Sequence, residues 1–96
     1  MSFEELYSVL NKRGFFNTFQ VLSQFKEYKA EKGEFYRILI DFSNYNSFLR
    51  IKDKLLESKL IRLETNNGQE YIGLTSKGKS VYDSLVHLNE LINEKN

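Results

Sequence analysis

The sequence predicts a single domain of the α+β class, mainly α with one β-hairpin set between helices. Apolar residues recur at helical spacing along most of the chain, and the pair Asn67-Gly68 divides two stretches of alternating residues. The chain contains no proline, the residue that most often interrupts a helix. Its 96 residues suffice for one modest core, and 41% hydrophobic residues exclude a disordered segment. We therefore treat residues 1–96 as one domain.

The first helix is predicted over residues 1–13. Ser2 and Glu5 have the spacing of a capping box, in which side chains satisfy free backbone N–H groups at a helix start. Gly14 is predicted to end this helix, because glycine is the usual residue just past a helix. The apolar stripe of the helix consists of Phe3, Leu6, Tyr7 and Leu10. Residues 15–16, both Phe, are too few to form an element and are expected to plug the core.

Residues 17–60 are predicted to form the helical core of the domain. A second helix runs from Asn17 to Glu31 and is expected to stop at Gly33. Its predicted core stripe consists of Phe19, Leu22, Phe25, Lys26 and Tyr28. The periodicity of the apolar segment 34–42 fits either a strand or a short helix. We assign it as a helix because a polar turn and a fourth helix follow it.

The fourth helix is predicted over residues 45–59, and its two faces differ in character. The inner face is apolar and consists of Phe48, Ile51 and Leu55, with Leu56 at its edge. The outer face is polar and consists of Asn46, Ser47, Arg50, Asp53, Lys54 and Glu57. This helix is therefore expected to bury one side and to begin with several hydrogen-bonding side chains.

Residues 61–74 predict a β-hairpin. Asn67-Gly68 is the preferred pair for a two-residue type I′ turn, since both positions need a positive φ. This turn sets the register so that the numbers of opposed residues sum to 135. The apolar residues Ile61, Leu63, Ile72 and Leu74 then lie on one face of the hairpin. A slip of one residue would separate them, so turn chemistry and pattern agree.

The last helix is predicted over residues 75–94, with Thr75 or Ser76 as its cap. Four apolar residues spaced four, three and four apart form a coiled-coil-like seam, namely Val81, Leu85, Leu88 and Ile92. Either the N-terminal helix of the same chain or a second copy of this helix can cover the seam. We favour the second copy, and so a homodimer, since pairing also accounts for two extra helices beside the core.

The order of elements is that of a winged helix-turn-helix with an extra N-terminal helix and a long C-terminal helix. Residues 36–79 resemble the small winged helix-turn-helix transcriptional regulators of archaea and their viruses and plasmids, and in outline the multiple-antibiotic-resistance-regulator (MarR-like) superfamily. The resemblance depends on residues 55–61 (LLESKLI) and 74–79 (LTSKGK). That family usually has glycine where Lys59 stands and an apolar residue where Lys52 stands. Lys59 is therefore expected in a left-handed turn, and Lys52 with a buried stem.

The resemblance implies that the fourth helix enters the major groove of double-stranded DNA and that the hairpin, the wing, lies beside the backbone. The charge pattern is compatible with this, since residues 43–80 carry seven basic and four acidic side chains. Amide and guanidinium groups suit base edges, whereas hydroxyl and ammonium groups suit phosphates. The candidate residues are Asn44, Tyr45, Asn46, Ser47, Arg50 and Lys54 on the helix, and Arg62, Asn66, Asn67, Gln69 and Lys77 on the wing. A capped helix with a solvated face and a plain hairpin turn are the alternatives.

An enzyme is not expected, because the chain has no Cys, a single histidine (His87) and no glycine-rich phosphate loop. No metal, cofactor or membrane partner is expected either, and the effector, if any, stays unknown. The absence of a signal-peptide pattern and of a run of about 18 apolar residues favours the cytoplasm, the host's for a viral or plasmid protein. Two other functions stay open: a winged-helix protein–protein interaction module and a non-specific chromatin- or nucleoid-type DNA binder.

Overall fold

The computed structural model describes residues 2–94 and has the mainly helical α+β fold that the sequence predicts. The helices are α1 (Phe3–Leu10), α2 (Arg13–Leu22), α3 (Lys32–Asp41), α4 (Tyr45–Glu57) and α5 (Ser76–Asn93), and the strands are β1 (Lys29–Glu31), β2 (Ile61–Asn66) and β3 (Gln69–Leu74). Residues 1, 95 and 96 of the predicted domain lie outside the described residues. Within residues 2–94, no helix combines the length and the hydropathy that crossing a membrane requires.

The predicted hairpin is confirmed in its bounds and its register. β2 and β3 pair antiparallel, with Leu63 opposite Ile72. Asn67 and Gly68 have φ values of 53° and 79°, and a type I′ turn requires positive values at both positions. Ile61 and Leu74 at the base are buried, whereas Leu63, nearer the tip, is 43% exposed; Ile72, opposite Leu63, is buried and lies on the central strand β3. The hairpin therefore packs on the helices by its base, and its tip lies in solvent.

The second predicted helix is wrong at both ends. α2 begins four residues earlier than Asn17 and ends at Leu22. Residues 29–31 form β1 instead, which pairs antiparallel with β3 and gives the sheet order β1-β3-β2. Gly33 does not stop a helix but lies in the first turn of α3. A three-residue strand carries too short a pattern to be predicted, and its partner lies far away in the sequence.

The predicted break at Gly14 is also wrong. α1 ends at Leu10, and Gly14 lies in the first turn of α2. A Cβ at residue 14 would collide with the carbonyl oxygen of Ser47, so the close approach of α2 to α4 requires glycine there. Phe15 and Phe16 therefore belong to α2 rather than to a separate plug. Phe15 is buried, whereas Phe16 is 56% exposed.

The predicted caps of the two flanking helices are confirmed. The Ser2 side chain accepts a hydrogen bond from the Glu5 backbone N–H at 3.2 Å. Thr75 Oγ1 accepts one from the Gly78 backbone N–H at 2.9 Å. The same hydroxyl donates to the Lys59 carbonyl at 2.5 Å, which joins the start of α5 to the end of α4.

The core lies between α2, α3, α4 and the sheet. Its largest fully buried apolar side chains are Phe15, Phe19, Phe35, Phe48, Leu22, Leu39, Leu55, Ile72 and Leu74. Phe35 of α3 meets Phe48 of α4 edge to face, with ring centroids 5.1 Å apart, a favourable geometry for aromatic pairs. The predicted inner face of α4 is thus buried, and this holds the outer face away from the core.

Left-handed residues set the ends of α3 and α4. Ser43 and Lys59 both have φ of 60°, so the left-handed turn expected at Lys59 is confirmed. The Leu60 N–H donates to the Leu55 carbonyl at 3.0 Å, which is the long hydrogen bond of a Schellman motif. Since residues 42–44 alone separate α3 from α4, the two helices form a tight pair.

Candidate nucleic-acid interface

The outer face of α4 carries the first group of candidate residues. Asn46, Arg50 and Lys54 are exposed and follow one another at steps of one helical turn, so they form a single stripe. Asp53 and Glu57 are also exposed, towards the end of the helix. The amide and guanidinium groups therefore lie on the N-terminal half of α4, and the carboxylates lie on the C-terminal half.

The other candidate residues at the start of α4 are half-buried, namely Asn44, Tyr45 and Ser47. The ring of Tyr45 packs edge-on against Tyr36 of α3, with centroids 5.3 Å apart and planes inclined by 74°. The Ser47 backbone lies against Gly14 of α2. Tyr45 therefore supports the position of α4, while Asn46 offers the more exposed polar side chain.

A groove between the α1–α2 link and α4, the basic groove, brings together cations that are distant in sequence. It has a volume of about 440 Å³. Its basic lining residues are Lys12, Arg13, Arg50 and Lys54, and its polar ones are Ser8, Asn11 and Ser47. Among the described residues, no Asp or Glu lines it.

Sequence reasoning missed the contribution of the α1–α2 link to this groove. The sequence pattern makes Arg50 and Lys54 candidates but not Lys12 and Arg13, because it places these two at the end of the predicted N-terminal helix, residues 1–13. The signal in the sequence was a basic pair directly before Gly14. Linking that pair to the fourth helix requires the close contact of α2 with α4, which no local pattern reveals.

The hairpin has an exposed polar tip and a charged base. The exposed tip residues are Asn66, Asn67 and Gln69. Nearer the base, Arg62 Nε lies 3.4 Å from Glu64 Oε2, and Lys29 Nζ lies 2.9 Å from Glu64 Oε1. The hydrogen bond from Lys29 is the main cause that lowers the pKa of Glu64, and Arg62 adds to it. Arg62 therefore shares a carboxylate with Lys29.

A second ion pair fastens the hairpin to α3. Lys32 Nζ donates to Glu70 Oε2 at 2.6 Å. This hydrogen bond lowers the pKa of Glu70 and raises the pKa of Lys32. Lys52 of α4, which is half-buried, lowers the pKa of Glu70 further through its charge. This exposed ion pair therefore links the hairpin to the first turn of α3 at the protein surface.

Lys77, at the base of the hairpin, is engaged with the end of α4. Its Nζ donates to the Ser58 carbonyl at 2.9 Å. A cation at this place is favoured by the partial negative charge of a helix C-terminus. Arg62 and Lys77 are the two cations predicted to contact phosphates at the wing base. Both therefore have a partner within the protein.

The predicted seam of α5 divides into an inner and an outer half. Val81 and Leu85 are half-buried against the core. Leu88 and Ile92 are 51% and 73% exposed. The ring of Tyr82, on the inner half, stacks parallel to Phe19 with centroids 6.4 Å apart. The inner half therefore anchors α5, and the outer half offers its apolar side chains to solvent.

α1 also leaves apolar side chains exposed. Phe3 is 89% and Tyr7 is 71% exposed, while Val9 is buried. A groove of about 410 Å³ between α2 and α5 is lined by Leu10, Phe16 and other apolar residues. The stripe of α1 and the outer half of α5 are both exposed, so α1 does not cover the seam within one chain.

Comparisons with protein-family models, with curated proteins and with solved structures found no significant match to this chain. A function must therefore be inferred from the geometry of the described residues. It offers two surfaces: the polar stripe of α4 with the basic groove, and the exposed apolar side chains of α1 and α5.

Proposed function

We propose that this protein is a sequence-specific double-stranded DNA-binding protein, a transcriptional regulator of the winged helix-turn-helix kind. In this proposal α3 and α4 form the helix-turn-helix, α4 enters the major groove, and the β2–β3 hairpin is the wing beside it. A helix with its side chains is about 10–12 Å across, and the major groove is about 12 Å wide. Such a role places the protein in the cytoplasm, the host's if a virus or plasmid encodes it.

One observation carries the proposal: an exposed polar stripe lies on a helix whose opposite side is buried. Phe48 and Leu55 are fully buried, which fixes the orientation of α4. The amide of Asn46 suits a bidentate contact with adenine, and the guanidinium of Arg50 suits one with guanine. Lys54 suits a phosphate. A fixed helix keeps these groups at constant spacing, and reading a sequence of bases requires this.

We also propose that the protein acts as a homodimer through α5. The exposed outer half of its seam, Leu88 and Ile92, supports this, as do the exposed Phe3 and Tyr7 of α1. Clustered exposed apolar residues commonly mark protein interfaces. A two-fold axis would set two α4 helices on half-sites about 34–36 Å apart, one turn of DNA.

Selection of bound sequences from a random DNA pool tests this function. The expected result is an enriched palindrome with half-site centres about 10–10.5 base pairs apart. An enriched site without symmetry would support recognition of bases by α4 but would contradict the homodimer. Binding without enrichment would favour the non-specific DNA binder, and no binding at about 50 mM salt would reject DNA as the partner.

A protein–protein interaction module of the same fold is the second candidate. The net charge of +1 favours it, as do the ion pairs that occupy Arg62 and Lys32. Salt dependence separates the two functions. DNA affinity falls with salt by a slope of about −0.9 for each phosphate contact, because counterions are released. An interaction module would show no such binding to a random-sequence duplex.

A further inference from the structure

Positive charge lines the basic groove. Within residues 2–94, no Asp or Glu lines this groove, although Lys12, Arg13, Arg50 and Lys54 all do. Elsewhere the pattern differs, since Lys29 and Arg62 lie against Glu64, and Lys32 lies against Glu70. Like charges brought together in a concave site raise the local potential and attract an anion.

The start of α2 adds polar donors to the same place. α2 begins at Arg13, and within the described residues no side chain caps it at Lys12. Free backbone N–H groups at a helix start carry partial positive charge. Ser8, Asn11 and Ser47 line the groove as well. The groove thus combines charged and neutral hydrogen-bond donors, which is the donor set that a phosphate group needs.

The position of the groove indicates the source of the phosphate group that it would bind. On α4 it is lined by Ser47 and Ile51 and by Arg50 and Lys54 of the exposed stripe, so it runs along one edge of that stripe. When a helix lies in the major groove, its flanks face the two sugar–phosphate backbones. We propose that the basic groove holds a backbone phosphate of DNA, with Lys12 and Arg13 as its ligands from outside the helix-turn-helix. This inference rests on the proposed function.

Neutralising the two link residues tests the inference. Lys12→Gln, Arg13→Gln and the double variant are titrated with a random-sequence 20-base-pair duplex between about 50 and 200 mM salt. Each lost phosphate contact should make the slope of log affinity against log salt concentration less steep by about 0.9. At 0.1 M salt this corresponds to about eight-fold weaker binding. In the double variant the slope should become less steep by about twice that amount, and the change should be equal for random and selected duplexes. Lys26→Gln, an exposed lysine outside the groove, is the matched control and should change neither.

The outcomes separate this inference from the function on which it rests. If wild type binds DNA but the double variant keeps its affinity and salt slope, the phosphate site is rejected and α4 binding stands. If wild type binds no DNA, the proposed function itself fails. A loss confined to the selected sequence would also reject a phosphate contact. Arg13→Lys retains the charge and should retain the slope, and thermal melts of all variants should coincide with wild type.

Discussion

Gly14 decides where the candidate interface lies, because its missing Cβ lets α2 approach α4. The carbonyl oxygen of Ser47 occupies the place where a side chain would begin. This contact sets the first turn of α4, and therefore the position of Arg50, relative to Arg13. Gly33, also in the first turn of a helix, has no such neighbour: the nearest atom to a Cβ there is Glu31 Oε1, at 4.0 Å.

We expect Gly14→Ala to destabilise the protein by about 1–3 kcal/mol, because the added methyl forces α2 and α4 apart. Gly33→Ala should be neutral or stabilising by up to about 1 kcal/mol, since alanine favours a helix over glycine. Urea unfolding of both variants measures the difference. Equal stability of the two variants would show that the contact with Ser47 is not tight.

Lys59 offers a second test at a single residue. It is exposed and left-handed, with φ of 60°, in the turn that ends α4. Lys59→Gly should stabilise the protein by about 0.5–1 kcal/mol, because the penalty of a side chain in this conformation exceeds the added freedom of the unfolded chain. Lys54→Gly, inside α4, should instead destabilise it by about 1 kcal/mol. If chemical denaturation shows that both variants are less stable than wild type, the left-handed geometry at Lys59 is contradicted.

Among the elements, the hairpin is where sequence prediction succeeded, because two independent local signals agree. The Asn67-Gly68 turn and the alternating apolar pattern both require the same register, and the strands pair in it. β1 could not be predicted, since residues 29–31 become a strand only by pairing with β3. The basic groove was not predicted: the sequence pattern places Arg50 and Lys54 on the outer face of α4, but Arg13 reaches them only through a contact between helices.

Variants of Gly68 test the role of the hairpin. No atom lies within 4 Å of a Cβ there, so the cost of a side chain comes from φ of +79° alone. Gly68→Asn should be nearly neutral, because asparagine tolerates the left-handed region, whereas Gly68→Val should cost about 1–3 kcal/mol. DNA affinity should fall with valine and not with asparagine. Paired thermal melts and DNA titrations measure these effects. If both variants bind DNA as tightly as wild type, the hairpin is not part of the DNA interface.

At the scale of the whole molecule, the described part is elongated, with extents of 51 × 27 × 26 Å. α5 has 18 residues, and at 1.5 Å per residue it is about 27 Å long. Its inner half packs on the core through Val81 and Leu85, and its outer half is exposed. This shape suits a helix that reaches a second copy.

We expect Leu88→Glu with Ile92→Glu to convert a dimer to a monomer without unfolding the domain. Both side chains are exposed, so the cost falls on the interface and not on the core. Leu63→Glu, which places a carboxylate on the exposed part of the hairpin, is the control and should remain dimeric. Sedimentation equilibrium at tens of micromolar measures the state. A monomeric wild type at that concentration would contradict the dimer.

The measurement that tests the central claim most directly is the affinity of Arg50→Ala for a selected duplex and for a random one. Arg50 is exposed on the outer face of α4, so its removal should leave the fold intact. We predict a loss of about 1–3 kcal/mol on the selected duplex and a small loss on the random one, as for a residue that reads a base edge. Unchanged affinity for both duplexes would contradict the claim that this face of α4 reads DNA.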